Sequence, residues 1–473
     1  MKNEAADRAV FVIKSALCPQ TIQGGGDMSE KAKKKKSGFI KGAATIAAGG
    51  FIAKIIGAVY RIPLTNLIGG HGIGLYQMVY PVYCMLLTLS ATGIPSSIAK
   101  LTAERIEKGQ GDKPLFKTAM KLFLWIGLAG TLLMAGLAPL LAAAQNAKEI
   151  TTGYFALAPS VFLVSAISVF RGWFQGKNEM FPTALSEVIE QLVKVGFGLL
   201  FAYLFKENTV RAVTFLLLAV SLSELVALLV MLLLFKRVPA PRKLKDGGGR
   251  VKAKTVLKLS IPVTFSSILL PLSGLLDSVL VVRLLGNYAP DPVALYGLFS
   301  GGAVTIINLP VSVCYGIAAA SVPSLAAARA RKGASVKKKL FFSLGITALV
   351  ALPSAAGLYL FAEPAVKLVY RNLSGQELDT LIRLVKVFSV SALTLSCVQT
   401  LSACLTAQGK PQYAALSMAV AVVVKTGVYT WLLRNPQISV FGLAYATNIC
   451  YLVAFLLDLL YNLRVANKRR KET

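Results

Sequence analysis

The chain has 473 residues, of which 55% are hydrophobic and 15% charged. Soluble proteins carry about 25% charged residues, so this composition excludes a water-soluble enzyme of ordinary surface, a disordered chain and a collagen-like fibre. The 51 Lys and Arg against 21 Asp and Glu, a formal net charge of +30, would suggest a nucleic-acid surface in a soluble protein, but their placement points to a membrane.

In chain order, the stretch Val10 to Leu17 is too short to span a bilayer and lacks a small-residue cleavage site, so no signal peptide is expected. Met28, followed by Ser-Glu-Lys and the Lys33–Lys36 run, reads as a more natural beginning, with 1–27 an extended or misassigned start. Beyond it, apolar stretches of the roughly 20 residues that a crossing helix needs recur twelve times. They cover 40–68, 74–98, 119–144, 152–174, 182–205, 210–235, 257–285, 294–323, 340–362, 379–406, 412–433 and 439–463. The runs are too long for strands and lack the apolar–polar alternation of a membrane barrel.

Orientation follows from which loops hold Lys and Arg. With the N-terminus inside, the inner set contains the Lys31 to Lys41 cluster, the 99–121 loop, the 236–258 loop, the 329–339 loop and the 464–471 tail. Excluding the first 27 residues, the inner segments hold 35 Lys and Arg and the six outer loops 7. Both termini are therefore expected in the cytoplasm. The basic loops would lie against anionic headgroups, at about 1 kcal/mol per cation near the surface. They lack interleaved aromatics, so no nucleic-acid partner is expected. Six cysteines (Cys18, Cys84, Cys314, Cys397, Cys404, Cys450) show no CxxC spacing, and His71 is the one histidine; neither a metal site nor a disulfide is expected.

A repeat divides the chain. Phe174-Gln175-Gly176-Lys177, Ala184-Leu185-Ser186 and Lys194-Val195-Gly196 are echoed by Ala407-Gln408-Gly409-Lys410, Ala415-Leu416-Ser417 and Lys425-Thr426-Gly427. In both copies the lysine follows the serine by eight residues. Leu101, Arg105 and Lys108-Gly109 match Leu325, Arg329 and Lys332-Gly333, and Leu75-Tyr76 matches Leu295-Tyr296. Parallel repeats of six spans place a site between two lobes. The expected plan is an all-α polytopic membrane protein of about twelve helices in two pseudo-symmetric six-helix lobes. Its parts are a basic tail over 1–37, a lobe over 38–236, a basic linker with Gly247-Gly248-Gly249 over 237–256, a lobe over 257–463 and a basic tail over 464–473.

Ionisable residues inside spans cost about 2.5–3.5 kcal/mol each at a helix centre on insertion scales, and face a cavity or a partner. Lys54 and Arg61 share a face of the first span; Glu187, Glu190 and Lys194 share one on the fifth. Asp277 and, near the outer end, Arg283 lie on the seventh, Glu224 on the sixth, Lys425 on the eleventh and Asp458 on the twelfth. Lys194 and Lys425 occupy matching repeat positions, which sets two lysines on opposite walls of one cleft. With Lys54, Arg61 and Arg283 they form a cationic substrate cavity suited to a diphosphate. Glu187, Glu190, Glu224 and Asp277 serve as ion-coupling groups or charge partners. Pairing of Lys194 with Glu190, or of Lys54 with Asp277, is the competing arrangement, and the four acids against Lys54, Arg61, Lys194 and Lys425 leave full neutralisation open. Pro63, Pro81, Pro95, Pro262, Pro271 and Pro310 are candidate hinges, and Asn308 and Gln399 candidate polar lining. No GxxxxGK[ST] loop, nucleophile elbow or metal-ligand cluster occurs, so no enzymatic activity and no cofactor is expected. The driving energy would come from an ion gradient, the membrane potential or consumption of the product.

The opening Gly38-Phe39-Ile40-Lys41-Gly42-Ala43-Ala44, with Tyr60-Arg61-Ile62-Pro63-Leu64, Gly74-Leu75-Tyr76-Gln77 and Gly93-Ile94-Pro95-Ser96, resembles the stage V sporulation protein B group. That group is the polysaccharide-biosynthesis branch of the multidrug/oligosaccharidyl-lipid/polysaccharide exporter superfamily, whose lobes are MATE-like. The resemblance implies a bacterial plasma-membrane flippase moving undecaprenyl-linked saccharides, notably peptidoglycan precursor, to the outer leaflet by alternating access. It also implies basic residues on the first helix, with Arg61 the best carried over and Lys54 next, and cell-wall synthesis machinery as a partner. Relatives commonly have fourteen spans against the twelve found here, and twelve is the number of the drug/toxin extrusion branch. The alternative is therefore a Na⁺- or H⁺-coupled exporter of drugs or metabolites with the same fold, using Asp277, Glu187 and Glu190.

Overall fold

The computed structural model describes residues 28–237, 253–330, 336–373 and 375–472, and it is helical throughout. The basic linker around Gly247 and the first 27 residues lie outside the described residues. Two compact units are present, Met1–Ala44 and Thr45–Thr473. In the first, residues 28–44 are helical. The second carries every cavity described below.

Helices stand at all twelve predicted spans, and among the described residues nine helices, the first of them running through both of the first two spans, are long and apolar enough by composition to cross a membrane. The first two spans, expected as separate helices, are two helices that meet at Gly69 with no other residue between them in a non-helical conformation, and together they are designated α1 (Met28–Leu87). Its only non-helical residue is Gly69, at φ 70 and ψ −177, a region open to glycine and costly for other residues. The chain reverses there. Arg61 and Gln77, each eight residues from Gly69, line the same cavity, which a straight helix rising about 1.5 Å per residue would forbid.

The chain continues through a π-helical turn (Thr88–Thr92), α2 (Ile94–Glu107), α3 (Lys113–Ala144), α4 (Thr151–Leu157), α5 (Pro159–Gly176), α6 (Phe181–Leu204) and α7 (Thr209–Arg237). The second half comprises α8 (Ala253–Ser267), α9 (Leu269–Leu285), α10 (Pro292–Gly297), a second π-helical turn (Leu298–Ala303) and α11 (Val304–Ala330). It closes with α12 (Val336–Leu360), α13 (Ala362–Val369), α14 (Gly375–Phe388), α15 (Val390–Ala407), α16 (Pro411–Leu432) and α17 (Phe441–Glu472). The sequence repeat is a structural one. In the first half α6 packs on α7, α3 on α5 and α2 on α5; in the second α16 packs on α17, α12 on α15 and α11 on α15. The matching helices α3 and α12 expose Trp125, Leu132 and Leu140, and Phe342, Leu349 and Leu360, surface that only a lipid solvent leaves without penalty.

Packing differs between the two ends. Buried residues of both halves, such as Leu64, Ile73, Val282 and Tyr370, join one core. Away from Gly69, each half keeps its own cluster: Ile98, Phe123, Phe170 and Trp173 in the first, and Leu325, Leu340, Leu401 and Ala466 in the second. The expected seventh span is broken at Ile268, and its first piece, α8, packs on the first half: Val256 is buried in that half's cluster. A Cβ on Gly93 would sit 2.4 Å from the Ser260 carbonyl oxygen, so this contact is close backbone packing.

Candidate functional site

The Gly69 end is sealed by contacts between the halves. His71 Nδ1 lies 2.8 Å from Asp291 Oδ2. Asn66 donates to the Val369 carbonyl at 2.8 Å, and Asn372 donates to the Asn66 carbonyl at 2.9 Å. Below, a Cβ on Gly74 would fall 2.1 Å from the Val293 carbonyl oxygen and one on Gly297 2.2 Å from that of Gly70. Glycine at these positions lets α1 and α10 touch backbone to backbone.

Beneath this seal lie two adjoining cavities. The first, about 320 Å³, is walled by Arg61, Lys194, Gln191, Asn308, Tyr76 and Tyr80 and extends along α1 to Ala53. The second, about 260 Å³, is walled by Gln77, Ser273, Asp277, Ser300, Lys425 and Thr447. Arg61 lines both. The arrangement follows from local folding: the Gly69 reversal sets Arg61 against Tyr76, Gln77 and Tyr80, and the second π-helical turn presents Ser300 to the second cavity.

The buried charges sort into paired and unpaired groups, with partners other than those anticipated. Glu190 Oε2 accepts from Arg171 Nη2 at 2.9 Å, while Arg171 Nε donates to Ser186 Oγ at 3.0 Å. Asp277 accepts from Lys425, which also donates to Ser273 Oγ at 3.2 Å. Neither Lys194–Glu190 nor Lys54–Asp277 forms among the described residues, and the Lys54 side chain lies outside the description. Lys194 and Lys425 do not face each other across one cleft; they line different cavities, the first unpaired and the second neutralised. Among the described residues no carboxylate pairs with Arg61 or Lys194.

The remaining expected site residues fall as follows. Arg283 is exposed, lines neither cavity, and donates from Nε to the Ala144 carbonyl at 2.8 Å, tying the halves near the seal. Its place at a helix end lets it reach solvent, which removes it from the cationic cavity. Glu224 is 4% exposed; its Oε1 accepts from the Tyr83 hydroxyl at 3.3 Å and its Oε2 has no hydrogen-bond partner among the described residues. Glu187 lies on the face of α6 toward Gly50. Asn308 lines the first cavity. Gln399 lines neither, and its Oε1 is buried without a partner. Asp458 accepts from Ser402 Oγ at 2.6 Å within the second half.

Sequence reasoning missed Arg171, which sits three residues before the end of a predicted span and reads as a loop cation. It also missed the tyrosines at 76 and 80, whose i, i+4 spacing marks one face of a helix.

A family model described as polysaccharide biosynthesis protein matches residues 39–329. The chain is 27% identical over 424 residues to stage V sporulation protein B of Bacillus subtilis (strain 168), covering 87% of this chain and 81% of that one. It is 23% identical over 450 residues to lipid II flippase MurJ of the same strain, covering 89% and 81%. Among solved structures, an inward-facing multidrug resistance MATE family transporter aligns with a TM-score of 0.74 at 17% identity, over 89% of this chain and 96% of that one. Lipid II flippase MurJ in an inward closed conformation aligns at 0.69 and 14% identity, over 89% of each chain. The fold is therefore the MATE-like one. With its repeated helical halves, sealed end and charged cavity, the chain belongs to the polysaccharide biosynthesis protein family of the exporter superfamily, as a multi-pass bacterial membrane protein of flippase or exporter type.

Proposed function

We propose that the protein carries an undecaprenyl-diphosphate-linked saccharide, a peptidoglycan or other cell-wall polysaccharide precursor, from the inner to the outer leaflet by alternating access, without catalysing a covalent step. The observation that carries this reading is the pair Arg61 and Lys194 in one cavity with no acid paired to either. An unneutralised cation inside a membrane protein is expensive and is kept where an anion binds. Glu190 and Asp277 are spent on Arg171 and Lys425, which leaves them poorly placed for a cationic cargo. With the termini inside, the cavities face the cytoplasm, where a diphosphate lipid would enter. Carrying negative charge outward through an inside-negative potential is favourable by about 2.3 kcal/mol per charge per 100 mV, so the membrane potential supplies drive.

A second reading, ion-coupled export, is favoured by one observation: buried Glu224 with an unpartnered oxygen. The test is rescue of a strain depleted of its peptidoglycan flippase. The wild-type chain restores growth, and Arg61→Ala and Lys194→Ala, inserted at normal levels, each fail. Full rescue by both variants would sink the anionic-cargo reading. Failure of the wild type, joined to Glu224-dependent efflux of an organic cation, would favour the second.

A further inference from the structure

The two cavities differ in hydrogen-bonding sense as well as in charge. The first presents donors, from Arg61 and Lys194. In the second, the one full charge pair cancels itself, because Lys425 is bound to Asp277 and to Ser273. Two of its lining hydroxyls are turned to accept. Ser300 Oγ gives its proton to the Tyr296 carbonyl at 2.7 Å, and Thr447 Oγ1 gives its proton to the Leu443 carbonyl at 2.7 Å. A hydroxyl has one proton and two lone pairs, so both groups have only acceptor capacity left. One of the two Gln77 Nε2 protons is spent on the Ser300 carbonyl at 3.0 Å, and Asp277 Oδ1 has no hydrogen-bond partner among the described residues. Apart from the shared Arg61, this wall is neutral and rich in acceptors. A phosphate, which only accepts, finds little there; a ligand that carries many O–H donors does.

Resting on the flippase reading above, we infer that the second cavity is a saccharide subsite: the diphosphate is held by Arg61 and Lys194, and the first sugar occupies the space bounded by Ser300, Thr447 and the Lys425–Asp277 pair. Arg61, at the junction, sits where the diphosphate meets the sugar. Tyr296, Phe299 and Tyr451 also line this cavity and bring ring carbons beside the sugar. At about 260 Å³, against about 300–1,000 Å³ for drug-sized ligand sites, the cavity takes one ring rather than a long glycan. The Lys425–Asp277 pair thus selects for a neutral, hydroxyl-rich group instead of adding to the attraction for phosphate.

The experiment measures binding of two probes to the full chain in lipid nanodiscs: undecaprenyl diphosphate, and undecaprenyl diphosphate bearing one N-acetylglucosamine. The wild type binds the sugar-bearing lipid more tightly. The double variant Asp277→Asn/Lys425→Gln, which keeps shape and neutrality, and separately Thr447→Val, lose affinity for the sugar-bearing lipid by about tenfold, the worth of one or two net hydrogen bonds. Both bind bare undecaprenyl diphosphate as the wild type does. Equal binding of the two probes by the wild type, or an equal effect of the variants on both, overturns the saccharide subsite while leaving the flippase reading intact. Binding of neither probe by the wild type removes the flippase reading and the subsite together.

Discussion

Lys194 and Lys425 hold the same place in the repeat yet finish in opposite electrostatic states. The difference is made by their neighbours: α9 supplies Asp277 to Lys425, whereas the acid one turn before Lys194 on α6 is taken by Arg171. The sequence made the buried charges legible, because an ionisable residue in an apolar run stands out, and it put Arg61 on the right face. It did not reveal the pairings, since helical spacing says which residues share a face and nothing about the rotation of one helix against another. Removing one member of a buried pair strands the other. Asp277→Ala is therefore expected to lower stability by about 3 kcal/mol, read as a drop in thermal unfolding temperature in detergent. The doubly neutral Asp277→Asn/Lys425→Gln loses much less. A single-variant loss no larger than that of the double would mean that the pair is not buried in a low dielectric.

At the scale of elements, apolar length placed a helix at each predicted span but missed the short α13 (Ala362–Val369) between two of them, and the two most informative features are interruptions. Gly69 reverses α1 at a single residue, so the connection between the first two spans is one glycine. The break at Ile268 gives α8 to the first half and α9 to the second, so the boundary between halves falls inside a predicted span. Neither was readable, because both depend on which core an apolar helix joins. A mechanical consequence follows for alternating access. A disulfide between His71→Cys and Asp291→Cys should stop transport, with recovery on reduction; undiminished transport by the cross-linked protein would show that the Gly69 end need not open. Gly297→Ala, whose Cβ would meet the Gly70 carbonyl at 2.2 Å, should part α1 from α10 and lengthen the distance between spin labels at Lys148→Cys and Gln437→Cys.

For the molecule as a whole, a core shared on one side of the cavities and divided beyond them makes the Gly69 end the gate that the proposed alternating access would have to open. His71, the chain's one histidine, stands at that gate. Its hydrogen bond to Asp291 raises it above the ordinary 6.5, burial works against this, and the charges of Glu149 and Glu377 add to the rise. Burial alone would raise Asp291, but the bonds from His71 and from the Ala294 N–H outweigh it and hold the carboxyl below its ordinary 3.8. The His71 share of the closing force is complete below about pH 6.5 and is lost as pH climbs through the raised value. The Asp291 share is present above about pH 3.8 and is lost as pH falls through the lowered one. Both side chains are about two-fifths exposed, so the pair is worth about 1 kcal/mol or less. The Lys148–Gln437 label distance should grow between pH 6 and pH 9, and His71→Phe should flatten that response; a flat wild-type profile would count against the pair as a gate contact. On the proposed orientation, with this end outermost, the pair would act as a valve that outside acidity holds shut and alkalinity loosens.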